Sequence, residues 1–328
     1  MKKNLFLLVT ATLLFAACQK DGVYNPKEKI ASITTNYTFT MTYPDFPELN
    51  NTDMDEQWTE QWTWDKKLLK HIDAGDGYFL DFQYDGKQIQ KIVTHDGYYQ
   101  YTYKDKKVDK VEYFEGTELV GTISYQYEGK KVSTITNTYS FEGNNDILSK
   151  KKAQIQKKAL SFMLPNSLIK ESHQHSAKLA KKIGMGAKEL VQVVSKTTLT
   201  WDGDNVSKMT TTTQYGSAGI AFTEITEFTY DNKNNPYYHA FDVIEESEYN
   251  TNLSKNNVTK IKITSIDSEY PDFFAQEEYN YTYKYDSSNF PTSIIQSNEW
   301  VDPEAIEDDD TYYPGIYKEE MKSTISYK

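Results

Sequence analysis

The sequence predicts an all-β fold: an antiparallel meander of repeated β-hairpins forming one strongly curved or barrel-like sheet, with a short helical insert. Three observations predict it. An aromatic-turn-apolar unit recurs along the chain. Tyrosine is in excess, at 27 of 328 residues, while apolar content is only 38%. The turns between the apolar runs are written in Asp, Gly and Lys. Tyrosine suits half-buried strands because its ring is apolar and its tip is wet. A broad sheet with much of its surface in water is therefore expected.

The N-terminus comes first. Met1-Lys2-Lys3 is basic, Leu5 to Phe15 is apolar, and small residues precede Cys18, the sole cysteine. The run is shorter than the ~20 residues of a membrane-spanning helix and has the form of a secretory signal. The pattern resembles the bacterial lipobox, which implies cleavage after residue 17 and acylation of Cys18. Removing residues 1–17 takes two lysines, and net charge moves from −12 to −14. Residues 18–29 read as a lipidated tether, and residues 30–328 as a single repetitive β domain.

The domain opens with a lead-in strand, Tyr37 to Tyr43, that alternates in period two. Residues 43–60 follow as an acidic loop holding Pro44, Pro47, six acids and no lysine. Then come the repeats. Trp62-Thr63-Trp64-Asp65 leads to Leu69 and Ile72, and Phe82-Gln83-Tyr84-Asp85-Gly86-Lys87 leads to Ile89 and Ile92. Tyr101-Thr102-Tyr103 precedes Val108 and Val111, and Tyr125-Gln126-Tyr127-Glu128-Gly129-Lys130 precedes Val132 and Ile135. Leu199-Thr200-Trp201-Asp202-Gly203 leads to Val206 and Met209, with weaker copies at 228–231, 257–261 and 283–286.

Paired aromatics at period two place both rings on one face of a strand. Asp and Gly then tolerate the left-handed backbone of a tight hairpin. The two apolar positions that follow are three apart, which breaks strict alternation. Either the first sits in the turn as a plug, or a bulge shifts the register. Lys91, Lys110, Lys208 and Lys260 each precede the second apolar position and read as edge lysines facing solvent. A lone hairpin is marginal, so the units must pair side by side and share an apolar face.

Between the fourth and fifth units lies an insert, 146–196, with eleven lysines against three acids. Ile155, Ala159, Phe162 and Met163 fall at helical spacing before Pro165, so one or two amphipathic helices are expected there. Docking of this basic insert into the concave side of the acidic sheet is a further expectation. A closing strand, Thr324 to Tyr327, ends the sheet.

The Tyr-x-Tyr-Asp-Gly-Lys-x-Ile-x-Lys-Ile pattern resembles the degenerate YD (RHS-type) repeats of Bacteroidetes lipoproteins of unknown function, some with a porin-like fold. It covers most of 60–140 and 197–295. The resemblance implies a curved or barrel-like antiparallel meander and brings no activity. Cys18-Gln19-Lys20-Asp21 also resembles the signal that sends such lipoproteins to the outer leaflet. An outer-membrane, lipid-anchored and surface-exposed location is implied, with the periplasmic face as the alternative. A true membrane-spanning barrel would need apolar residues on its lipid face. The residues between the aromatics are Thr, Gln and Lys, so the body is expected to stand in water.

Chemistry is sparse. The chain has no arginine, and with its acidic balance this argues against nucleic acid as a partner. His173-Gln174-His175 lacks an evident third ligand, and no metal or cofactor is expected. Glu299 to Asp310 reads as a solvated acidic loop. No nucleophile elbow, phosphate loop or zinc-protease helix motif occurs. In strands, Tyr98-Tyr99 and Tyr312-Tyr313 must send one ring to each face, which makes Tyr98, Tyr99, Tyr312 and Tyr313 candidate ligand contacts. The expected role is a non-catalytic binding or scaffold module for a glycan or an envelope protein, attached to the membrane by its N-terminal lipid. The alternative is an extracytoplasmic glycoside-type hydrolase using carboxylates of the acidic loops.

Overall fold

The structure is a computed structural model that describes residues 24, 26–75, 77–142, 190–215, 221–240, 251–267, 274–308 and 311–328. The strands are β1 (Ile30–Thr42), β2 (Asn51–Asp65), β3 (Leu68–Gly75), β4 (Tyr78–Asp85), β5 (Gln88–Val93), β6 (Gly97–Lys104), β7 (Lys107–Glu115) and β8 (Glu118–Glu128). They continue as β9 (Lys131–Glu142), β10 (Leu190–Asp202), β11 (Asn205–Tyr215), β12 (Ala221–Asn234), β13 (Asn256–Asp267), β14 (Phe274–Tyr285), β15 (Pro291–Asp308) and β16 (Thr311–Tyr327). Each pairs with its sequence neighbour, and β16 returns antiparallel to β1, closing a barrel. The meander is thus confirmed and its curvature is complete. Helix among the described residues is limited to two short 3₁₀ turns, Pro47–Leu49 and Thr251–Leu253.

Closure corrects several expectations. Residues 51–60 are strand, not acidic loop, because their alternation lets β2 pair with β1 from Asn51 to Gln61. The acidic run at 299–310 likewise lies largely in the β15–β16 hairpin, whose pairing continues from Asp308 to Thr311. A closed barrel has no free edge, so Lys91, Lys110, Lys208 and Lys260 stand on its outer wall and protect no edge strand. The expected helical insert falls outside the described residues except for its end, where Leu190 to Lys196 open β10 and pair with β9.

The three-residue gap in each repeat is a bulge. Thr63 and Trp64 pair with His71 and Leu69, and Gln83 and Tyr84 pair with Lys91 and Ile89, so one residue is skipped each time. The same skip recurs in the hairpins of β6–β7, β8–β9, β10–β11 and β12–β13. It also occurs between β14 and β15, and between β16 and β1. At each site an aromatic donor from the next hairpin reaches the carbonyl before the extra residue. Tyr84 Oη donates to Leu69 O at 2.6 Å, Tyr103 to Ile89 O at 2.7 Å, and Tyr127 to Val108 O at 2.8 Å. Trp201 Nε1 donates to Val132 O at 2.7 Å, Tyr230 Oη to Val206 O at 2.5 Å, and Tyr283 Oη to Val258 O at 2.6 Å. Tyr327 to Pro291 O and Trp64 Nε1 to Ile30 O, both 2.7 Å, complete the circuit.

The aromatic excess and the broken alternation therefore have one physical cause. A bulge interrupts the ladder, and a buried carbonyl near it needs another donor. The second aromatic of each unit supplies that donor across the hairpin boundary. Replacing Tyr84 with Phe keeps the ring and strands the Leu69 carbonyl. We expect a stability loss of about 1–3 kcal/mol, read by denaturant melts. The turns fit as well: Gly86 has φ 59°, and Lys106 takes φ 66° in a turn without glycine.

The buried apolar residues face inward at the hairpin-turn end. Ile33, Trp62, Leu69, Ile72, Phe82, Ile92, Val111, Tyr125, Met209, Ile261 and Tyr279 belong to one cluster there. Many outward residues of the same strands are polar, among them Thr59, Gln61, Asp81, Gln83, Thr102, Lys110, Glu112, Lys260, Glu278, Glu320 and Lys322, while Phe79, Tyr98, Phe114 and Leu119 form an apolar patch on the outer side of β4 and β6–β8. Several pair on this wall, Lys110–Glu112 along β7 and Lys260–Glu278 between β13 and β14, each 2.8 Å.

Candidate functional site in the barrel lumen

At the turn end the core is extended by segments that the repeat pattern did not reveal. The described ends of the β12–β13 connection, 235–240 and 251–255, pack there with Tyr237, Ala240 and Leu253 buried. Asn235 and Asn252 tie them down: Asn235 Nδ2 donates to Ser254 O and Asn252 Nδ2 to Ala240 O, both 2.8 Å. Tyr24 lies against Trp62 and Trp64 and donates to Pro236 O at 2.7 Å. This docks the far part of the expected tether. The sequence hint to this packing is an interruption in the sixth unit by Pro236-Tyr237-Tyr238-His239.

Above this packing the inward columns change from apolar to polar. On β2 the inward residues run Trp64, Trp62, Glu60, Trp58 and Glu56. Beside them on β1 run Ile33, Thr35, Tyr37 and Phe39, since Ile33 pairs with Glu60 and Tyr37 with Glu56. On β16 come Ile325, Ser323, Met321, Glu319 and Tyr317, in register with β1. Farther round stand Glu277 on β14 and Glu224 on β12, with Thr226 paired to Ile263 and Ile263 to Glu277. Glu56, Glu60, Glu224, Glu277 and Glu319 thus share the inner wall. No lysine shares it among the described strand residues whose side chains are placed.

Each buried carboxylate has a neighbouring donor. Tyr37 Oη donates to Glu319 Oε1 at 2.8 Å, and Tyr279 Oη to Glu277 Oε2 at 2.7 Å. Thr226 Oγ1 donates to Glu224 Oε1 at 3.1 Å, and Trp62 Nε1 to Glu60 Oε2 at 3.3 Å. Glu60 is 0% exposed, and its Oε1 has no hydrogen-bond partner among the described residues. Hydroxyl pairs line the rest: Thr35–Ser323 at 2.8 Å, Ser195–Thr213 and Thr197–Thr211 at 2.9 Å. Asn137 Oδ1, on the same face, is also buried without a partner among the described residues.

Burial holds the carboxyls of Glu60 and Glu224 above the ordinary carboxylate range; bonds from Trp62 and Thr226 oppose it. Burial raises the Tyr37 phenol, and the charges of Glu319 and Glu56 add to the effect. The linkage follows in sign. Above the unfolded carboxyl pKa of about 4.3 the folded chain holds more protons than the unfolded one, so these groups lower stability as pH rises from there. Glu60→Gln is expected to flatten the fall in Tm between pH 5 and pH 8. A slope equal to that of the native chain would show that Glu60 does not titrate there.

Toward the mouth the inner wall turns aromatic. Trp300 stacks on Tyr317 at 5.4 Å and 13°, Phe39 lies 6.0 Å from Trp300 and 6.1 Å from Tyr317, and Tyr43 meets Tyr317 edge-on at 6.4 Å. Of the tyrosines singled out in the sequence, Tyr98 and Tyr99 do take opposite faces. Tyr98 stacks on Phe114 at 4.8 Å on the outer wall, with Lys91 Nζ 3.5 Å from its centroid. Tyr99 stacks on Tyr113 at 4.8 Å inside. Tyr312 and Tyr313 pair with Glu307 and Ile306 in β16, and their side chains fall outside the described set, as does Cys18. No three His, Cys, Asp or Glu among the described residues gather as metal ligands.

No family model and no curated protein matches the chain. Among solved structures it is similar to a porin-like protein from Bacteroides uniformis, at 11% identity and TM-score 0.46 over 94% of this chain and 100% of that one. A porin-like protein from Bacteroides vulgatus gives 12% and 0.46 over 92% and 99%. OmpT, an outer membrane protein of Vibrio cholerae, gives 6% and 0.22 over 91% and 99%. Likenesses of this degree carry no functional conclusion.

Proposed function

We propose that this protein is a non-catalytic, lipid-anchored protein of the cell envelope, whose barrel is a binding or scaffold module for a glycan or an envelope protein. One observation carries the reading: polar side chains hold most of the described outer wall, and its apolar side chains form no continuous belt. A membrane-spanning barrel needs an apolar outer band, and a pore needs an open axis. Here Thr, Gln, Lys, Asp and Glu hold most of the described outward positions, with Tyr98, Phe114 and Leu119 as an apolar patch on one side, and Tyr24 packs against the described ends of the β12–β13 connection at the turn end of the axis. Such a barrel needs another attachment, which acylated Cys18 provides. Diacyl anchoring is firm, since each buried CH₂ contributes about 0.8 kcal/mol.

The geometry then orients the molecule. Five residues lie between Cys18 and docked Tyr24, a reach of at most about 22 Å. The turn end sits close to the bilayer, and the opposite end of the barrel faces away from it. An outer-membrane location on the cell surface fits this orientation and the Lys20-Asp21 signal. Phase partition in a cloud-point detergent tests the anchor: the native chain should enter the detergent phase and Cys18→Ala the aqueous phase. Conductance steps in a planar bilayer would overturn the reading, and protease accessibility on intact cells would separate the surface from the periplasmic face.

One observation favours the hydrolase reading. Glu56 and Glu319, from two different strands, both act on Tyr37, so two carboxylates approach one point of the lumen. Hydrolysis of chromogenic glycosides, abolished separately by Glu56→Gln and Glu319→Gln, would replace binding by catalysis as the function.

A further inference from the structure

We propose that the β2–β9 half of the hairpin-turn end is a basic face that lies against the anionic headgroups of the bilayer in which the Cys18 anchor sits. This rests on the reading of Cys18 as the lipid attachment and adds a second contact with the same membrane.

Charge at this end is sorted by sector. The four turns 65–68, 85–88, 104–107 and 128–131 hold eight lysines against four acids, in a chain whose net charge is −12. Lys66, Lys67, Lys87, Lys104, Lys106 and Lys130 are exposed. Among the described residues the lysine ion pairs belong to Lys110, Lys255, Lys260 and Lys322, so no described carboxylate neutralises these six by direct contact. The turns on the other half reverse the balance. Asp202 and Asp204 stand in 202–205 and Asp286 in 285–290, with no lysine in either. The acids of 241–250 belong by sequence to the β12–β13 connection, and so to that second half.

The lysines stand on a braced rim. Gln88 Nε2 donates to Lys106 O at 3.4 Å and ties the second turn to the third. Lys107 Nζ donates to Gly129 O and Lys131 Nζ to Gly203 O, each reaching the next turn along. The same two ammonium groups lie 4.8 Å and 5.2 Å from the ring centroids of Tyr127 and Trp201. Lys107 and Lys131 thus hold the turns together, and the exposed lysines project from a rim already in place. Less ordering is then needed on contact with a surface.

The anchor leaves beside this rim. Tyr24 packs on Trp62 and Trp64 of β2, and Lys29 Nζ lies 5.8 Å from the Trp64 ring, next to the β2–β3 turn that opens the basic sector. Cys18 is at most about 22 Å from Tyr24, so a lipid-held chain keeps this sector at high effective concentration over the headgroups. Attraction too weak to recruit a free protein then suffices to hold a tethered one.

Residue type selects the partner. Lysine is a hydrated point charge suited to the diffuse field of many headgroup phosphates, whereas planar recognition of one phosphate recruits arginine, which the chain lacks. An anionic bilayer is the match.

Cosedimentation of the full mature chain carrying Cys18→Ala tests the contact without acyl chains. In low salt it should bind vesicles of phosphatidylcholine mixed with phosphatidylglycerol and ignore vesicles of phosphatidylcholine alone, and binding should fade as ionic strength rises. Each lysine near an anionic surface contributes about fivefold in partitioning, so Lys67→Gln, Lys87→Gln and Lys130→Gln together should lower it about a hundredfold. Lys91→Gln, Lys208→Gln and Lys260→Gln remove the same charge from the outer wall and should change it less than about threefold. Melting curves verify that both triple variants fold. Equal binding to the two kinds of vesicle, or none at millimolar lipid, overturns the inference. So does partitioning that survives the turn substitutions, which would move the contact to another lysine-rich stretch such as 146–196. The anchor is judged separately, because a native chain that stays in the aqueous phase of the detergent removes the Cys18 reading whatever the vesicles show.

Discussion

Gly97→Ala is expected to unfold the barrel or to lower its stability by more than about 4 kcal/mol. An added Cβ would lie 1.9 Å from the carbonyl oxygen of Phe114 and 3.0 Å from its carbon. Both are main-chain atoms of β7, so no side-chain rotation relieves the clash. The strands cannot drift apart cheaply, because Tyr98–Phe114 and Tyr99–Tyr113 stack on opposite faces beside this pair. Gly97 is also held by Thr94, whose amide donates to the Gly97 carbonyl at 2.9 Å and whose Oγ1 accepts from its amide at 3.1 Å. Gly77, with open space around its missing Cβ, makes the comparison, though its φ of 83° adds strain of its own. Chemical denaturation of both variants decides the matter. A Gly97→Ala barrel melting within two or three degrees of the native one, about 1 kcal/mol, would mean that β6 and β7 are not so closely apposed.

Trp62→Ala should cost about 3–5 kcal/mol, the range for emptying a buried large aromatic. Trp62 is 2% exposed and sits where the wall and the Tyr24 segment meet. Its loss opens a cavity beneath Tyr24 and removes the donor that reaches Glu60 Oε2. That carboxyl would then have no partner for either oxygen, and its pKa would rise further. Trp62→Phe separates the two effects: most of the volume stays and only the N–H goes. We expect about 1–3 kcal/mol for that change, with a steeper loss of stability above pH 5 than the native chain shows. Equal melting temperatures for Trp62→Phe and native protein at pH 8 would remove the Glu60 contact from the account.

The repeats were legible because each is a local code. Two aromatics at period two, a turn of Asp, Gly or Lys, and two apolar residues three apart are visible wherever they occur, and each became a hairpin with a bulge. The partner of the bulge was not legible. Tyr84 reaches Leu69 and Trp201 reaches Val132, contacts across a hairpin boundary that no single unit encodes. The acidic stretch at 51–60 misled for a related reason. Glu56 and Glu60 look like solvent residues when read alone, but their alternation with Gln57, Thr59 and Gln61 puts them on the inner face of a strand. The candidate tyrosines were placed correctly by face in the case of Tyr98 and Tyr99. The lumen acids were missed, since a charge pattern of period two reads as solvated surface until the sheet is known to close.

By itself the sequence determined the strand class, the hairpin order and the face shared by the apolar residues. These are properties of short windows, where period and turn chemistry act over a few residues. Tertiary structure alone decided that β16 meets β1, that Tyr24 packs against Pro236 and Trp62 at the turn end, and that five carboxylates share one interior. Closure depends on the summed twist and bulging of sixteen strands, and a face becomes an inside only when the last strand finds the first.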